Sequence, residues 1–264
     1  MSEIINKETL FIAKIGGNVI EDPVVLSQFL QDFSNIQGPK ILVHGGGKIA
    51  TQLAEQLGIA TEMIDGRRVT TAKMLDVIVM TYAGLVNTKI VSGLQKHRCN
   101  ALGLSGADGN VITATKREPL FIDYGFAGDI TDINSSFLEE ILSLDMIPVL
   151  CSVTHDLTGQ LLNTNADTIA SQVAAAMTRY YDVSLFYCFE LQGVLSDIND
   201  KESVIPHIDQ KKYAELLDAD VISDGMLPKL HTCFKALEQQ VTTIHIADAN
   251  FLKNPNSLHT TLTL

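Results

Sequence analysis

Phe11-Ile12-Ala13-Lys14-Ile15-Gly16-Gly17 and, further on, Ile41-Leu42-Val43-His44-Gly45-Gly46-Gly47 decide the fold class. In each, a short apolar run ends abruptly in glycines, and the second opens into a helical pattern. Residues 23–33 between them carry helical spacing, so the whole stretch reads as strand–helix–strand, the building block of a parallel sheet. Glycine turns at two strand ends let backbone N–H groups approach an anion, and the helix after the second turn adds the positive end of its dipole. Lys14 brings a full positive charge beside the first turn. Such a pair of turns suits phosphoryl and carboxylate oxygens.

Outward from this unit the same alternation continues. Strands are expected near 10–15, 40–44, 100–104, 147–153, 183–189 and 242–247, and a helix over 48–57 stops at Gly58. The longest helix begins with Thr70 or Thr71 as its cap and carries the stripe Leu75, Ile78, Val79, Tyr82, Leu85, Val86, Ile90 and Leu94. Gly84 and Gly93 would admit a second backbone, which fits a subunit interface and a core helix equally. Residues 103–133 read as hairpins and loops, an excursion of the kind that covers a site. There is no internal repeat or linker, so a single domain over 1–264 is expected, with lobes near 1–175 and 176–264 on one continuous sheet.

The chain has 264 residues, 46% hydrophobic and 19% charged, enough for a substantial core and too apolar for global disorder. A formal net charge of −12 argues against nucleic acid or an anionic membrane as partner, though anionic small molecules respond to the local field. The first ten residues lack the order of a signal peptide, and no apolar run reads as long enough to span a bilayer, so a cytoplasmic location is expected. Cys99, Cys151, Cys188 and Cys233 form no CxxC or Cys/His cluster, which makes buried thiols the expectation rather than disulfides or metal ligands.

Gly45, Gly47 and Ala50 also satisfy a loose dinucleotide-binding spacing, but the acid expected later falls on Glu62 or on Asp65, which sits in a turn. A Walker A loop fails outright, because Ile49 stands where Ser or Thr is needed. Lys14 tips the balance. A dinucleotide site has no use for it, whereas phosphoryl transfer needs cations against the equatorial oxygens; the alternative is a lysine that merely snorkels at a strand end.

Lys14-Ile15-Gly16-Gly17, His44-Gly45-Gly46-Gly47, Gly66-Arg67-Arg68-Val69-Thr70, Leu162-Asn163-Thr164-Asn165-Ala166-Asp167 and Ser223-Asp224-Gly225-Met226-Leu227-Pro228-Lys229 occur in that order. Together they resemble the acetylglutamate kinase family of the amino-acid kinase superfamily. The resemblance implies a three-layer αβα sandwich with a largely parallel central sheet. It implies ATP-dependent phosphorylation of the γ-carboxylate of N-acetyl-L-glutamate, giving N-acetylglutamyl 5-phosphate in arginine biosynthesis. Lys14 and Lys229 would contact the transferring phosphoryl group from either side, and Asp167 would orient them. Gly46 and Gly47 would offer N–H groups to the acylated amino acid, Arg68 would clamp its α-carboxylate with Arg67 as the nearer-solvent alternative, and Asn163 would bond its α-substituents. Asn165 would shape the turn. Gly16 and Gly17 would face the phosphates of ATP, whose Mg²⁺ is held mainly by those phosphates. The nucleotide would lie over Glu190, Leu191, Gln192, Gly193, Val194 and Leu195 and near Val221, Ile222 and Ser223.

The chain departs from that pattern at two places. Glu190 stands where the family usually has Asp, after Phe189 rather than Thr or Ser, and Ala107 aligns with a lysine in relatives. His44 is expected to pack or hydrogen-bond beside its turn, and the other histidines show no metal-ligand spacing. Family members are commonly homodimers through the long helix. Arginine-inhibited relatives carry a further helix before the first strand, for which ten residues before Phe11 are too few, so no arginine response is expected. Three alternatives stay open: N-succinyl-L-glutamate as the acyl substrate, a superfamily sibling acting on another carboxylate, carbamate or nucleotide, and a non-catalytic ligand-binding relative. A nicotinamide enzyme would leave Lys14, Asp167 and Lys229 unexplained.

Overall fold

In the computed structural model, which describes residues 7–64, 66–218 and 226–264, the opening unit forms as the glycine turns require. Strand β1 (Thr9–Ile15) leads through α1 (Gly17–Glu21) and α2 (Pro23–Ser34) to β2 (Lys40–His44), and α3 (Gly47–Gln56) leaves from the second turn. Asp22 caps α2 by accepting from Val24 N and Val25 N, with Pro23 pre-set in the first turn. A hairpin of β3 (Glu62–Ile64) and β4 (Arg67–Val69) precedes a continuous helix, Ala72–Lys96. That helix is α4 (Ala72–Ile78), a π-helical stretch over Val79–Val86, and α5 (Asn87–Lys96), with Thr71 capping Met74 N.

Next come β5 (Ala101–Leu104), the hairpin of β6 (Ile112–Lys116) and β7 (Gly128–Ile133), α6 (Ser135–Ser143), β8 (Ile147–Cys151), β9 (Val153–His155) and β10 (Leu161–Asn163). The last third contains α7 (Ala166–Met177), β11 (Asp182–Cys188), β12 (His207–Ile208), α8 (Gln210–Asp218), α9 (Leu227–Glu238), β13 (Thr243–Ala247) and β14 (Thr260–Leu262).

The main sheet runs β12-β14-β13-β11-β1-β2-β8-β5, and every neighbouring pair is parallel except β13 with β14. Strand alternation splits the core into two layers. Leu10, Ile12, Ile41, Val43, Val183 and Leu185 face one helical layer that includes Ile169, Val173, Leu230 and Phe234. Ala13, Ile15, Leu42 and Phe186 face the other, with Phe29, Leu30, Phe33, Ile90 and Leu94. The αβα sandwich with a largely parallel sheet is therefore present, and β1 lies in its interior between β11 and β2.

Some expectations need correction. The strand expected over 147–153 breaks after Cys151, where Ser152 Oγ donates to His44 O at 2.8 Å. The chain resumes as β9 in a separate four-stranded sheet of order β10-β9-β6-β7. Leu85 is 46% exposed rather than part of the buried stripe, because the π-helical turns rotate it away from the α-helical register. Gly93 serves packing within the chain: an added Cβ would lie 2.5 Å from Leu30 Cδ1 of α2. Helix Ala72–Lys96 is also long and apolar enough to cross a membrane by length and composition. Its apolar side has an internal use, with Met74, Ile78, Tyr82, Val86, Ile90 and Leu94 all buried in the fold.

Gly106 supplies a test of this packing. A Cβ there would sit 2.7 Å from Ile112 O, 2.9 Å from Thr154 Cα and 3.0 Å from Val153 O, all backbone atoms that cannot step aside. Gly106→Ala is expected to cost about 1–3 kcal/mol, read as a lower urea midpoint with unchanged slope.

Candidate active site

The carboxyl ends of β1 and β2 lie side by side because the two strands run parallel and in register, Lys14 beside Val43 and Ile15 beside His44. On its other side Lys14 is in register with Tyr187 of β11. The same alternation that buries Leu10 and Ile12 places Lys14 on the α7 face, where it is only 9% exposed. There its Nζ meets Asp167 Oδ1 at 2.7 Å. Asp167 is held in the first turn of α7: Asn165 Oδ1 accepts from Asp167 N at 2.8 Å and Thr168 N at 3.1 Å, and Tyr187 Oη donates to Asp167 O at 3.0 Å.

A second cation arrives from the start of α9. Lys229 Nζ lies 4.2 Å from the centroid of the Phe189 ring, and Lys14 Nζ lies 6.0 Å from the same ring. Burial lowers the pKa of Lys229 below the ordinary lysine value; the charge of Lys14 pushes the same way and Asp167 opposes it. The first glycine turn borders this cluster, since a Cβ on Gly16 would stand 3.5 Å from Lys14 Nζ. Gly17 opens α1, where Glu21 Oε2 pairs with Lys48 Nζ at 3.3 Å.

The second turn faces an arginine. Arg68 Nη2 donates to Gly47 O at 3.0 Å and to Thr51 Oγ1 at 2.9 Å, while Nη1 is buried with no partner among the described residues. An orphaned donor of this kind costs about 1–3 kcal/mol, which a bound anion would recover. Gly46 has no room for a side chain, because a Cβ would lie 2.8 Å from the Tyr82 ring. Asn163 Nδ2 donates to Thr70 Oγ1 at 2.9 Å, tying β10 to the end of the β3–β4 hairpin.

These groups surround one cavity of about 390 Å³. Gly46, Gly47, Arg68, Asn163, Asp167 and Lys229 line it, with Arg67 and Asn165 also in its wall, and Lys14 joins through Asp167. The segment Glu190, Leu191, Gln192, Gly193, Val194 and Leu195 follows β11 at the same end of the sheet but does not line this cavity. Glu190 is exposed, whereas Val194 and Leu195 are buried, with Val194 N donating to Thr260 Oγ1 at 2.8 Å. Val221, Ile222 and Ser223 lie outside the described residues.

Tyr82, Ser152, Arg117 and Asp129 also line the cavity and were not singled out as site residues from sequence. Tyr82 stood in a regular apolar stripe, and nothing in that stripe signalled the π-helical turn that brings it against Gly46. Arg117 donates through Nε to both Asp129 carboxylate oxygens at 3.1 and 3.0 Å, a pair made only by folding of the β6–β7 hairpin. The cavity thus has cations at one end, an arginine with a spare donor at the other, and glycine turns along it. That arrangement suits a small, elongated anion presented to a second anion.

His44 is structural, as its position beside the turn suggested. Its Nδ1–H donates to Gly45 O at 2.8 Å, which leaves Nε2 to accept from Asn87 Nδ2 at 3.0 Å. The second contact requires the neutral ring, and burial pushes the pKa down to about 4 although the Gly45 hydrogen bond favours the charged form. All four cysteines are buried free thiols.

Residues 9–248 match the amino acid kinase family. An acetylglutamate kinase of Phocaeicola vulgatus is 48% identical over 244 residues, covering 92% of this chain and 95% of that protein. One from Bacteroides thetaiotaomicron is 47% identical over 248 residues, with 94% and 96% covered. Among solved structures, that of smu.665 from Streptococcus mutans superposes with a TM-score of 0.77 at 28% identity, covering 96% of this chain and 98% of the other.

The neutral His44 predicts a pH dependence. The unfolded chain takes up a proton near pH 6.5 whereas the folded chain resists until about pH 4, so stability falls as pH drops through that window, by up to about 3 kcal/mol, and is flat above it. His245, also pushed down to about 4 by burial, adds to the same slope. Urea midpoints measured from pH 7 to 5 should fall for the native chain and fall less steeply for His44→Gln.

Proposed function

This chain belongs to the amino acid kinase family, among the acetylglutamate kinases, and from that premise we propose that it phosphorylates the γ-carboxylate of N-acetyl-L-glutamate with ATP, giving N-acetylglutamyl 5-phosphate for arginine biosynthesis. The observation that carries the substrate assignment is Arg68, whose buried Nη1 has no partner among the described residues while Nη2 is fixed on the glycine turn. An α-carboxylate there would complete a two-pronged fork. Gly46 and Gly47 would donate N–H groups to the bound acyl amino acid and Asn163 would bond its α-substituents, directing the γ-carboxylate toward Lys14 and Lys229.

A carboxylate is already ionised at neutral pH, so no general base is needed. Its oxygen bonds to the γ-phosphorus as the bond to the β–γ bridging oxygen breaks, and ADP leaves with that electron pair. Lys14 and Lys229 oppose the charge on the equatorial oxygens, and Asp167 fixes Lys14. Gly16 and Gly17 would face the phosphates, with the nucleotide over Glu190, Leu191, Gln192, Gly193, Val194 and Leu195 and near Val221, Ile222 and Ser223. Mg²⁺ would be held mainly by the phosphate oxygens of ATP.

A second reading keeps the reaction and lengthens the acyl group. N-succinyl-L-glutamate would bring a third carboxylate, which would have to share Arg117 of the cavity wall with Asp129. Offering both acyl-glutamates with Mg-ATP separates the two. Binding of either without turnover would instead mark a non-catalytic relative.

We place the enzyme in the cytoplasm as a homodimer of single-domain chains, each with an acyl-amino-acid lobe (1–175) and a nucleotide lobe (176–264). Met80 and Leu85, 51% and 46% exposed on the long helix beside Gly84, are the face a second copy would cover. A Leu85→Asp variant should sediment as a monomer; an unchanged mass would reject that face.

Lys14→Ala and Lys229→Ala should each lower kcat about a hundredfold or more, roughly 3 kcal/mol, with much smaller changes in KM for the acyl-glutamate. Arg68→Lys should do the reverse, raising that KM with little effect on ATP binding, and Arg67→Lys should change little. Steady-state kinetics with both substrates varied read all four.

A further inference from the structure

We propose that Phe189 is a positioning residue for the transfer step, its ring face holding the Lys229 ammonium at the phosphoryl site. The proposal rests on the reading of Lys229 as a phosphoryl contact. Phe189 follows β11 two residues after Tyr187, so it lies on the same face of the sheet as Tyr187 and its register neighbour Lys14. The two rings are stacked, 6.1 Å apart at 15°, and the Tyr187 hydroxyl is anchored on Asp167 O. Phe189 is therefore part of a stiff stack whose far end is tied to the helix that carries Asp167.

Lys229 Nζ lies over the Phe189 ring of that stack, 4.2 Å from the centroid. Among the described residues no ion pair or side-chain hydrogen bond holds its Nζ. The two lysines are thus held by different physics. Lys14 is fixed by a carboxylate at 2.7 Å, which cancels much of its charge. The ring attracts Lys229 through its quadrupole, without supplying an opposite charge. A carboxylate in its place would weaken the field that the phosphoryl oxygens must meet. An aromatic face orders a flexible side chain without adding to the negative charge that Asp167 and Glu190 already bring toward it.

The test compares Phe189→Leu and Phe189→Met, which keep apolar bulk, with Phe189→Tyr, which keeps the ring, in the full-length chain. Kinetics use Mg-ATP and N-acetyl-L-glutamate. Both aliphatic variants should lose about tenfold in kcat with KM for the acyl-glutamate nearly unchanged, and Phe189→Tyr should recover most of it. Because the ring favours the charged ammonium, its removal should move the alkaline fall of kcat to lower pH. In a Lys229→Ala background, Phe189→Leu should cause no further loss. Full kcat in both aliphatic variants, no recovery with Tyr, or an equal additional loss in the Lys229→Ala background would overturn the proposal. If Lys229→Ala retains near-normal kcat, the two-lysine mechanism falls and this proposal with it; a slow Lys229→Ala beside fast aliphatic variants rejects Phe189 alone.

Discussion

The ion pair between Lys14 and Asp167 is the constraint around which the site is organised. An ammonium buried at the end of an interior strand is costly unless a carboxylate and hydrogen bonds accompany it. Here the carboxylate comes from the first turn of α7, far along the chain from β1. Meeting it requires α7 to lie at one height over the sheet, where the Asn165 cap and the Tyr187 hydroxyl also hold it. The pair therefore locks a helix register to a strand register, and every other group in the cavity is placed relative to that joint.

The charges left over explain how an acidic chain can serve anionic ligands. A net charge of −12 describes the whole surface, whereas the cavity gathers Arg67, Arg68, Arg117 and Lys229. Arg117 is matched by Asp129 and Lys14 by Asp167, but among the described residues Arg68 keeps an unpaired donor and Lys229 rests on an aromatic ring. Both residues line the cavity, and two anionic ends of a ligand would meet them. Local field, rather than net charge, governs such a site.

The second glycine turn is braced from the long helix. Tyr82 packs on Gly46 so closely that only hydrogen fits, and Asn87 bonds His44 from the same helix. Both residues lie in or just after the π-helical stretch that also turns Met80 and Leu85 outward. A single irregular segment thus joins the turn that would hold the acyl amino acid to the surface proposed for a second subunit. Changes at that surface have a short mechanical route to the turn.

Much of this was legible in the chain itself. Apolar runs broken by glycine marked the ends of β1 and β2, helical spacing marked α2, α3 and the long helix, and Asn165 at a turn before small residues marked the start of α7. These are local signals, carried by backbone preference and periodicity. Lys14, Arg68, Asp167 and Lys229 could be named because their motifs occur in a characteristic order. What remained hidden depends on contacts between distant segments. The break at Ser152 follows from its hydrogen bond to His44 O, the inward Tyr82 and outward Leu85 from π-helical turns within a regular stripe, and the Arg117–Asp129 pair from the closing of a hairpin. Phe189 shows the boundary best. In sequence it was only a departure from the usual Thr or Ser, because a ring's use is set by what stacks beneath it and what charge lies above it, and folding alone brings Tyr187, Phe189 and Lys229 together.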